Sequence, residues 1–432
     1  MKTFYIHTYG CQMNELDSDI MKGVLLKKNY QETKDEQEAD LIILNTCSVR
    51  KLAESKVFHH LHMLKNHPKN PIIGLAGCMA MTQKEYLVKT FPHLNFILGP
   101  NNIHHLNEFL TTLDENQSFI KVQKDFTDEL DYFDAQRSSN LKAYVSIIRG
   151  CNNFCSYCIV PFTRGREVSR PSQNILEECV KLADQGYKEI TLLGQNVNSY
   201  GKDFNDNKML FHDLLYKIND IPGIERIRFL TSHPKDISKE LIYAIRDLDK
   251  VCEFIHFPMQ CGSNTILKRM NRKYTYENYL EKVYQIKELI PNATIGTDII
   301  VGFPGETEED FEKTMQAFKE IQFSLAYIFA YSPRDNTLAA KFEDLLSKEE
   351  KLVRVNQLQK LYKEIGESRR KAMIGQTEEV LVERLNKDGK MLKGKTRRFE
   401  KVIFEGDESL IGSLQKVRLD SFRHETFIAS KI

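Results

Sequence analysis

Three apolar, β-branched-rich runs open the 432-residue chain, and each ends on a cysteine: TFYIHTYGC at Cys11, ADLIILNTC at Cys47 and NPIIGLAGC at Cys78. Segments with helical periodicity, Asp17–Lys28 and Val49–Asn66, lie between them. Strands that alternate with helices specify a parallel sheet, so residues 1–113 are read as a doubly wound α/β domain. In an open sheet of this kind, the loops after the strands gather along one edge and form the binding crevice. One cysteine after a strand is simply a small buried residue. Three, at the same point of successive units, mark a site.

Residues 114–140 are polar and acidic with weak periodicity and read as a linker, with one strand expected at Ser118–Val122. From Ala143 a second α/β region begins. AYVSIIRG, KEITLLG, RIRFLTS, EFIHFP, TIGTDIIVG and LAYIFAYS are its strand candidates, with helical segments such as Ile175–Gln185 and Tyr276–Leu289 between them. This pattern describes a partial or complete β/α barrel over 141–370, whose chemistry belongs at the carboxyl ends of the strands. Polar groups collect there: Cys151, Gln195, Asn196, Ser232, His233, Gln260, Asp298, Ser332 and Arg334. A charged helix over 347–371 leads out. Residues 371–432 then change to short alternating strands with Gly and Asp turns, the signature of a small β-barrel. Residues 368–432 carry 15 Lys and Arg against 10 Asp and Glu, densest at Lys393, Lys395, Arg397, Arg398 and Lys401 around Phe399. That cluster suits a phosphate backbone, or a solvated face.

The second thiol set is GCNNFCSYC, with Cys151, Cys155 and Cys158 spaced C-x3-C-x2-C. Met1 leads directly into a strand rather than a signal peptide, and no apolar run approaches the roughly 18 residues of a membrane span. A cytoplasmic protein with reduced thiols is expected. Nine unevenly placed cysteines then favour metal ligation over disulfides. A structural zinc site takes four ligands, and the local motif supplies three. An iron–sulfur cube takes one thiolate per iron, so three cysteines leave the fourth iron open, where S-adenosylmethionine can chelate. Cys179, on an apolar helix face, and Cys252, leading a strand, read as core residues.

GCNNFCSYCIVPFTRGREVSR resembles the signature of the radical S-adenosylmethionine enzymes, and of their methylthiotransferases in particular. TYGCQMNELDS, LNTCSVR, GLAGCMA, LLGQNVNSYG, HFPMQCGS, DIIVGFPGETEEDF and a terminal barrel similar to the TRAM domain follow in that family's order over essentially the whole chain. The wording around the cysteines is closest to the branch that converts N6-isopentenyladenosine, beside the tRNA anticodon, into its 2-methylthio form. The sister branches act on threonylcarbamoyladenosine or on a ribosomal-protein aspartate. A non-catalytic iron–sulfur RNA-binding sensor is the alternative of another class, and a cofactor-binding barrel argues against it.

The resemblance implies two 4Fe-4S clusters, one on Cys11, Cys47 and Cys78 and one on Cys151, Cys155 and Cys158, with S-adenosylmethionine as methyl donor and radical source. It implies cofactor contacts from Tyr157, Gln195, Asn196, Gly302 and Glu306. Packing for Tyr157, and a strand-to-helix turn for Gly302, Gly305 and Glu306, are the simpler roles. Arg164, Arg166 and Arg170 are read as meeting RNA phosphate, a cofactor carboxylate or solvent, and His233 as a hydrogen-bonded strand-end residue. The implied partners are the tRNA anticodon stem-loop, an electron donor of flavodoxin or ferredoxin type and an unspecified sulfur donor, on a monomer. Three positions depart from the family: Cys261 stands for Ser, Met81 for Gln, and Asp335–Asn336 for Pro-Gly.

Overall fold

The computed structural model describes residues 1–48, 51–112, 119–123, 135–205, 209–386 and 389–432, with the side chains of 51–53 left aside. The first unit runs β1 (Thr3–Thr8), α1 (Gln12–Lys27), β2 (Gln31–Glu32), β3 (Leu41–Thr46), α2 (Lys51–Leu64), β4 (Ile72–Gly77), α3 (Cys78–Thr82), α4 (Lys84–Thr90), β5 (Phe96–Leu98), α5 (Leu106–Thr112) and β6 (Phe119–Lys121). The six strands form one parallel sheet in the order β2-β1-β3-β4-β5-β6. Alternate residues of a strand face opposite sides, and both sides of this sheet are covered. Leu41 and Ile43 pack with Leu16 and Ile20 of α1 and Phe109 of α5. Ile42 and Leu44 pack with Val57 and Leu61 of α2 and Leu87 of α4. All six residues of β3 are buried, as a central parallel strand requires.

The chain order reverses at β1 and β3, which makes that gap the switch point where such sheets bind ligands. Cys11 follows β1 and Cys47 follows β3. The strand expected at Ser118–Val122 occurs as β6 and pairs with β5. This part of the polar segment therefore completes the sheet rather than only linking units. Ser118 itself lies outside the described residues.

The second unit contains β7 (Lys142–Ser146), β8 (Ile148–Arg149), α6 (Val160–Thr163), β9 (Val168–Ser169), α7 (Ser172–Asp184), β10 (Glu189–Leu193), α8 (Phe211–Asn219), β11 (Arg226–Phe229), α9 (Lys239–Asp247), β12 (Phe254–His256), α10 (Asn264–Arg269), α11 (Tyr276–Leu289), β13 (Thr294–Val301), α12 (Glu308–Ile321) and β14 (Leu325–Ala330). Two parallel sheets, β7-β10-β11 and β12-β13-β14, meet through a bridge between Ile227 and Val251. The six expected strands thus make a partial barrel. Ile190, Leu192, Ile227, Phe229, Ile255 and Ile299 pack outward against the helices. The alternate residues Tyr144, Thr191, Arg228, His256 and Asp298 face the other way by the strand period, so the concave side is polar.

Helix α13 (Lys348–Met373) leads to a closed barrel of β15 (Thr377–Leu385), β16 (Leu392–Thr396), β17 (Lys401–Phe404), β18 (Leu414–Arg423) and β19 (Thr426–Lys431), ordered β15-β16-β17-β19-β18. Val380, Val382, Leu392, Val402, Phe404, Val417 and Phe427 fill it. Its basic cluster is largely spent on the neighbouring unit and on itself. Arg397 pairs with Glu253 at 2.8 Å and donates to the Asp249 and Val251 carbonyls at 2.8 and 2.7 Å. Arg398 pairs with Glu378, and Lys401 with Glu425 at 3.1 Å. Phe399 stacks on Phe254 with centroids 4.7 Å apart. Arg226 and Arg228 reach back to the carbonyls of Lys395 and Thr396 at 2.7 Å each. The phosphate reading of this cluster is therefore corrected for Arg397 and Arg398, while the Lys401 pair lies on the exposed face. Glu253 holds Arg397 where the two units join, and Glu378 holds Arg398 within the terminal barrel.

Candidate metal centres

The three cysteine loops of the first unit are in contact. Gly10 has φ +132, and a Cβ there would lie 2.7 Å from the Cys47 Cβ. Gly77, at φ +95, would bring a Cβ to 2.4 Å from the Thr46 carbonyl oxygen. Only glycine permits both backbones and both approaches. Asn14, in the first turn of α1, ties the loops by donating to the carbonyls of Tyr9 at 3.2 Å and Thr46 at 2.8 Å. Asn45 answers by donating to the Asn14 carbonyl at 2.7 Å. Cys11 is exposed, whereas Cys47 and Cys78 are buried. Burial disfavours the Arg164 guanidinium, but Asp17, then Cys78 and Cys11, hold its pKa above the usual arginine value. The sulfurs of Cys11 and Cys78 therefore share one neighbouring cation.

The C-x3-C-x2-C loop follows β8. Gly150 sits at φ +75, where a Cβ would fall 1.9 Å from the Arg166 carbonyl oxygen. The Cys151 amide donates to the Gly165 carbonyl at 3.1 Å, and the Cys158 amide to the Cys155 carbonyl at 2.9 Å. Ser156 is anchored to the far side of the barrel, its hydroxyl donating to the Arg269 carbonyl at 2.7 Å. Burial pushes the Cys151 thiol up to about 11, with Cys155 adding to the rise. Burial likewise raises Cys158, reinforced by Cys155 and Cys151. Thiols held neutral by burial become thiolates when a metal supplies positive charge. Among the described residues no three His, Cys, Asp or Glu side chains surround a single ion position. A cube asks each thiolate to meet a separate iron, so this donor set fits an iron–sulfur cluster.

The implied cofactor residues divide. Asn196 donates from Nδ2 to Asp236 at 2.8 Å, and its buried Oδ1 has no partner among the described residues. Ser232 Oγ and His233 Nε2 are likewise buried without partners. His233 Nδ1 accepts the Lys235 amide at 3.3 Å, so Nε2 carries the proton. Burial, then Arg272, lowers the His233 pKa and keeps the ring neutral. Unused polar atoms at adjacent strand ends suit a polar ligand, since buried polar groups are rarely left unpaired.

Gln195 instead supports the thiol loop, its Oε1 accepting the Gly150 amide at 2.7 Å. Glu306 is committed to its own turn: Oε2 accepts the Gly302 amide at 2.7 Å and pairs with Arg354 at 2.9 Å. The Lys351 side chain fills the space beside Gly302, where a Cβ would meet it at 2.4 Å. For Gly302 and Glu306 the turn role is thus the one the geometry supports. Tyr157 is part-buried against the cluster of Cys261, Ile266 and Phe303. Cys261 bonds to Thr314 Oγ1 at 3.5 Å and is pushed up to about 12 by burial, as befits a core thiol.

Family models match along the chain: Uncharacterized protein family UPF0004 over residues 3–99, the Radical SAM superfamily over 145–318 and the TRAM domain over 371–425. The tRNA-2-methylthio-N(6)-dimethylallyladenosine synthase of Protochlamydia amoebophila (strain UWE25) is 54% identical over 431 residues, covering 99% of this chain and 96% of that one. The chain belongs to the tRNA-2-methylthio-N(6)-dimethylallyladenosine synthase family. A second member, from Clostridium botulinum (strain Loch Maree / Type A3), is 49% identical over 96% of this chain and 94% of its own. Among solved structures, the radical S-adenosylmethionine methyltransferase TsrM from Kitasatospora setae, with cobalamin and a 4Fe-4S cluster bound, superposes with TM-score 0.59 at 14% identity, covering 79% of this chain and 77% of that one. That likeness speaks to the fold alone.

Within this member of the synthase family, two of the three arginines near the thiol loops prove to be internal, and Arg166 stays exposed. Arg164 and Arg170, candidates from the sequence for phosphate, a cofactor or solvent, are buried. Arg164 pairs with Asp17 at 2.7 Å, and Arg170 shares Glu178 with Arg137. Arg166 lies over the Phe154 ring, 4.4 Å from its centroid. Sequence reasoning misses Asp17, Arg149 and Arg272. Asp17 stands on the helix that follows Cys11, and Arg149 two residues before Cys151, placements that could have drawn notice. Arg272, in MNRKYT, has no such signal.

Proposed function

We propose that this chain places a methylthio group on the adenine C2 of N6-dimethylallyladenosine, also called N6-isopentenyladenosine, next to the anticodon in tRNA. The observation that carries the reading is the pair of three-thiol sites at strand ends of two adjoining units. One cluster is proposed on Cys11, Cys47 and Cys78, and the other, with S-adenosylmethionine, on Cys151, Cys155 and Cys158. When bound, these groups supply one-electron chemistry at a C–H bond that side-chain acids and bases do not activate.

The protein's part is to hold and orient. Asn14 and the two glycines gather the first thiol set. Gln195 and Ser156 fix the second loop to both halves of the barrel. Asn196, with Ser232 and His233, offers free polar atoms to the cofactor, and Tyr157 walls the second loop. Asp17 holds the two sites at one spacing through Arg149 and Arg164. The functional units are proposed as 1–113, the segment 114–140 that lends β6 to the first sheet as well as linking, the barrel 141–370 and an RNA-binding barrel 371–432. A cytoplasmic monomer served by a flavodoxin- or ferredoxin-type electron donor and a separate sulfur donor completes the proposal. No described helix is long and apolar enough to cross a membrane.

Mass analysis of tRNA nucleosides from cells with and without the gene tests the reading. Loss of the methylthio group from isopentenyladenosine is expected. Loss confined to threonylcarbamoyladenosine would overturn it.

A further inference from the structure

We infer that Arg272 is the counter-charge of the C-x3-C-x2-C loop, a positioning residue that donates to the Cys155 sulfur and raises the reduction potential of the cluster bound there. The inference rests on the reading of Cys151, Cys155 and Cys158 as cluster ligands.

Arg272 is 4% exposed, and its fork is fully directed. Nη2 donates to the Pro258 carbonyl at 2.9 Å, and Nε to the Tyr274 hydroxyl at 2.9 Å. That hydroxyl is itself fixed on the Met259 carbonyl at 2.8 Å. Nη1 is left to face the thiol loop, 3.3 Å from Cys155 Sγ and 3.5 Å from the Tyr157 hydroxyl. The residues on either side, Asn271 and Lys273, sit at φ +59 and +62. Non-glycine residues adopt that backbone at a cost, and here two of them turn one arginine inward.

Every group that accepts from this guanidinium is a carbonyl, a phenol or a thiol. Among the described residues no Asp or Glu forms an ion pair with it. The buried Arg149, Arg164, Arg170, Arg226, Arg228 and Arg354 each have one. A buried cation without an anion is costly, so the site calls for negative charge at the loop. A thiolate-ligated cluster carries it and carries more after reduction. An N–H donated to sulfur, together with a fixed positive charge, therefore favours the reduced form.

The test is a dithionite titration followed by electron paramagnetic resonance, on the full-length chain with iron and sulfide reconstituted anaerobically. The cluster concerned is the one whose signal changes on adding S-adenosylmethionine. In Arg272→Gln its midpoint should move to more negative potential while the other cluster's stays in place, and Arg272→Lys should recover part of the shift. Coincident midpoints in wild type and Arg272→Gln would overturn the inference. Should Arg272→Gln take up iron poorly with an unchanged circular dichroism spectrum, retention of the cluster in Arg272→Lys supports the need for charge, and equal loss in both refutes it. A wild-type chain without any S-adenosylmethionine-responsive signal would instead sink the cluster reading itself.

Discussion

Asp17 accepts from Arg164 at 2.7 Å through one carboxylate oxygen and from Arg149 at 2.7 Å through the other. Asp17 lies on the helix that begins after Cys11, and the two arginines bracket the loop of Cys151, Cys155 and Cys158. One carboxylate thus braces both thiol sites. It is fully buried, so Asp17→Asn removes the carboxylate that two buried guanidiniums share. A loss of about 3–5 kcal/mol in unfolding free energy is expected, read from anaerobic denaturant titration. A loss below about 1 kcal/mol would show that the triad does not brace the sites.

Cys47→Ala should separate the two thiol sets. The variant is expected to release 5′-deoxyadenosine from S-adenosylmethionine while forming no methylthio product. Iron content should fall toward half of wild type. Product formed at the wild-type rate would remove Cys11, Cys47 and Cys78 from the reaction.

Asp19 predicts a pH-dependent stability. Burial raises its pKa from 3.8 to about 6, against the pull of Ser138, Arg137 and Lys22 and with Glu15 adding to the rise. Since the folded value exceeds the unfolded one, the folded state binds more protons between them. Its contribution is full below the unfolded pKa and is lost as pH rises through the folded one. Stability should decline across that window, and Asp19→Asn should remove the decline, gaining roughly 2–3 kcal/mol at neutral pH. Parallel pH profiles for the two proteins would contradict this.

Arg397→Ala should loosen the terminal barrel, because its guanidinium joins the segment just before β12, at Asp249, Val251 and Glu253, to the β16–β17 corner. Faster amide exchange in Leu392–Phe404 is expected, with a stability cost of about 1–3 kcal/mol for charge-assisted bonds at a part-exposed site. Exchange confined to wild-type rates would mean that the Phe254–Phe399 stack and Arg228 hold the barrel without it.

The strand–helix alternation is legible because β3, buried on both faces in all six residues, stands out as a short apolar run, while helices bury one face at a period near four. The placement of Cys11, Cys47 and Cys78 is legible too, since each follows the end of a strand of one sheet. The edge strand Phe119–Lys121 is harder to assign to the first sheet. It is only three residues long, sits in a polar segment, and owes its place to pairing with β5. Arg164 and Arg170 read as candidates for phosphate, a cofactor or solvent because a charge in a sequence carries no mark of its partner.

The sequence by itself determined where Cys11, Cys47 and Cys78 follow strands, the six strands of the second unit's two sheets and where the all-β end begins, for these are local patterns or repeats of one, whereas the short strands β2 and β5 left no such pattern. Only the tertiary structure decided which charges are spent inside. Asp17 and Arg164 lie 147 positions apart, and Arg228 finds the Thr396 carbonyl across 168. Coulomb attraction and desolvation depend on distance in space and on exclusion of water, and neither is written along the chain.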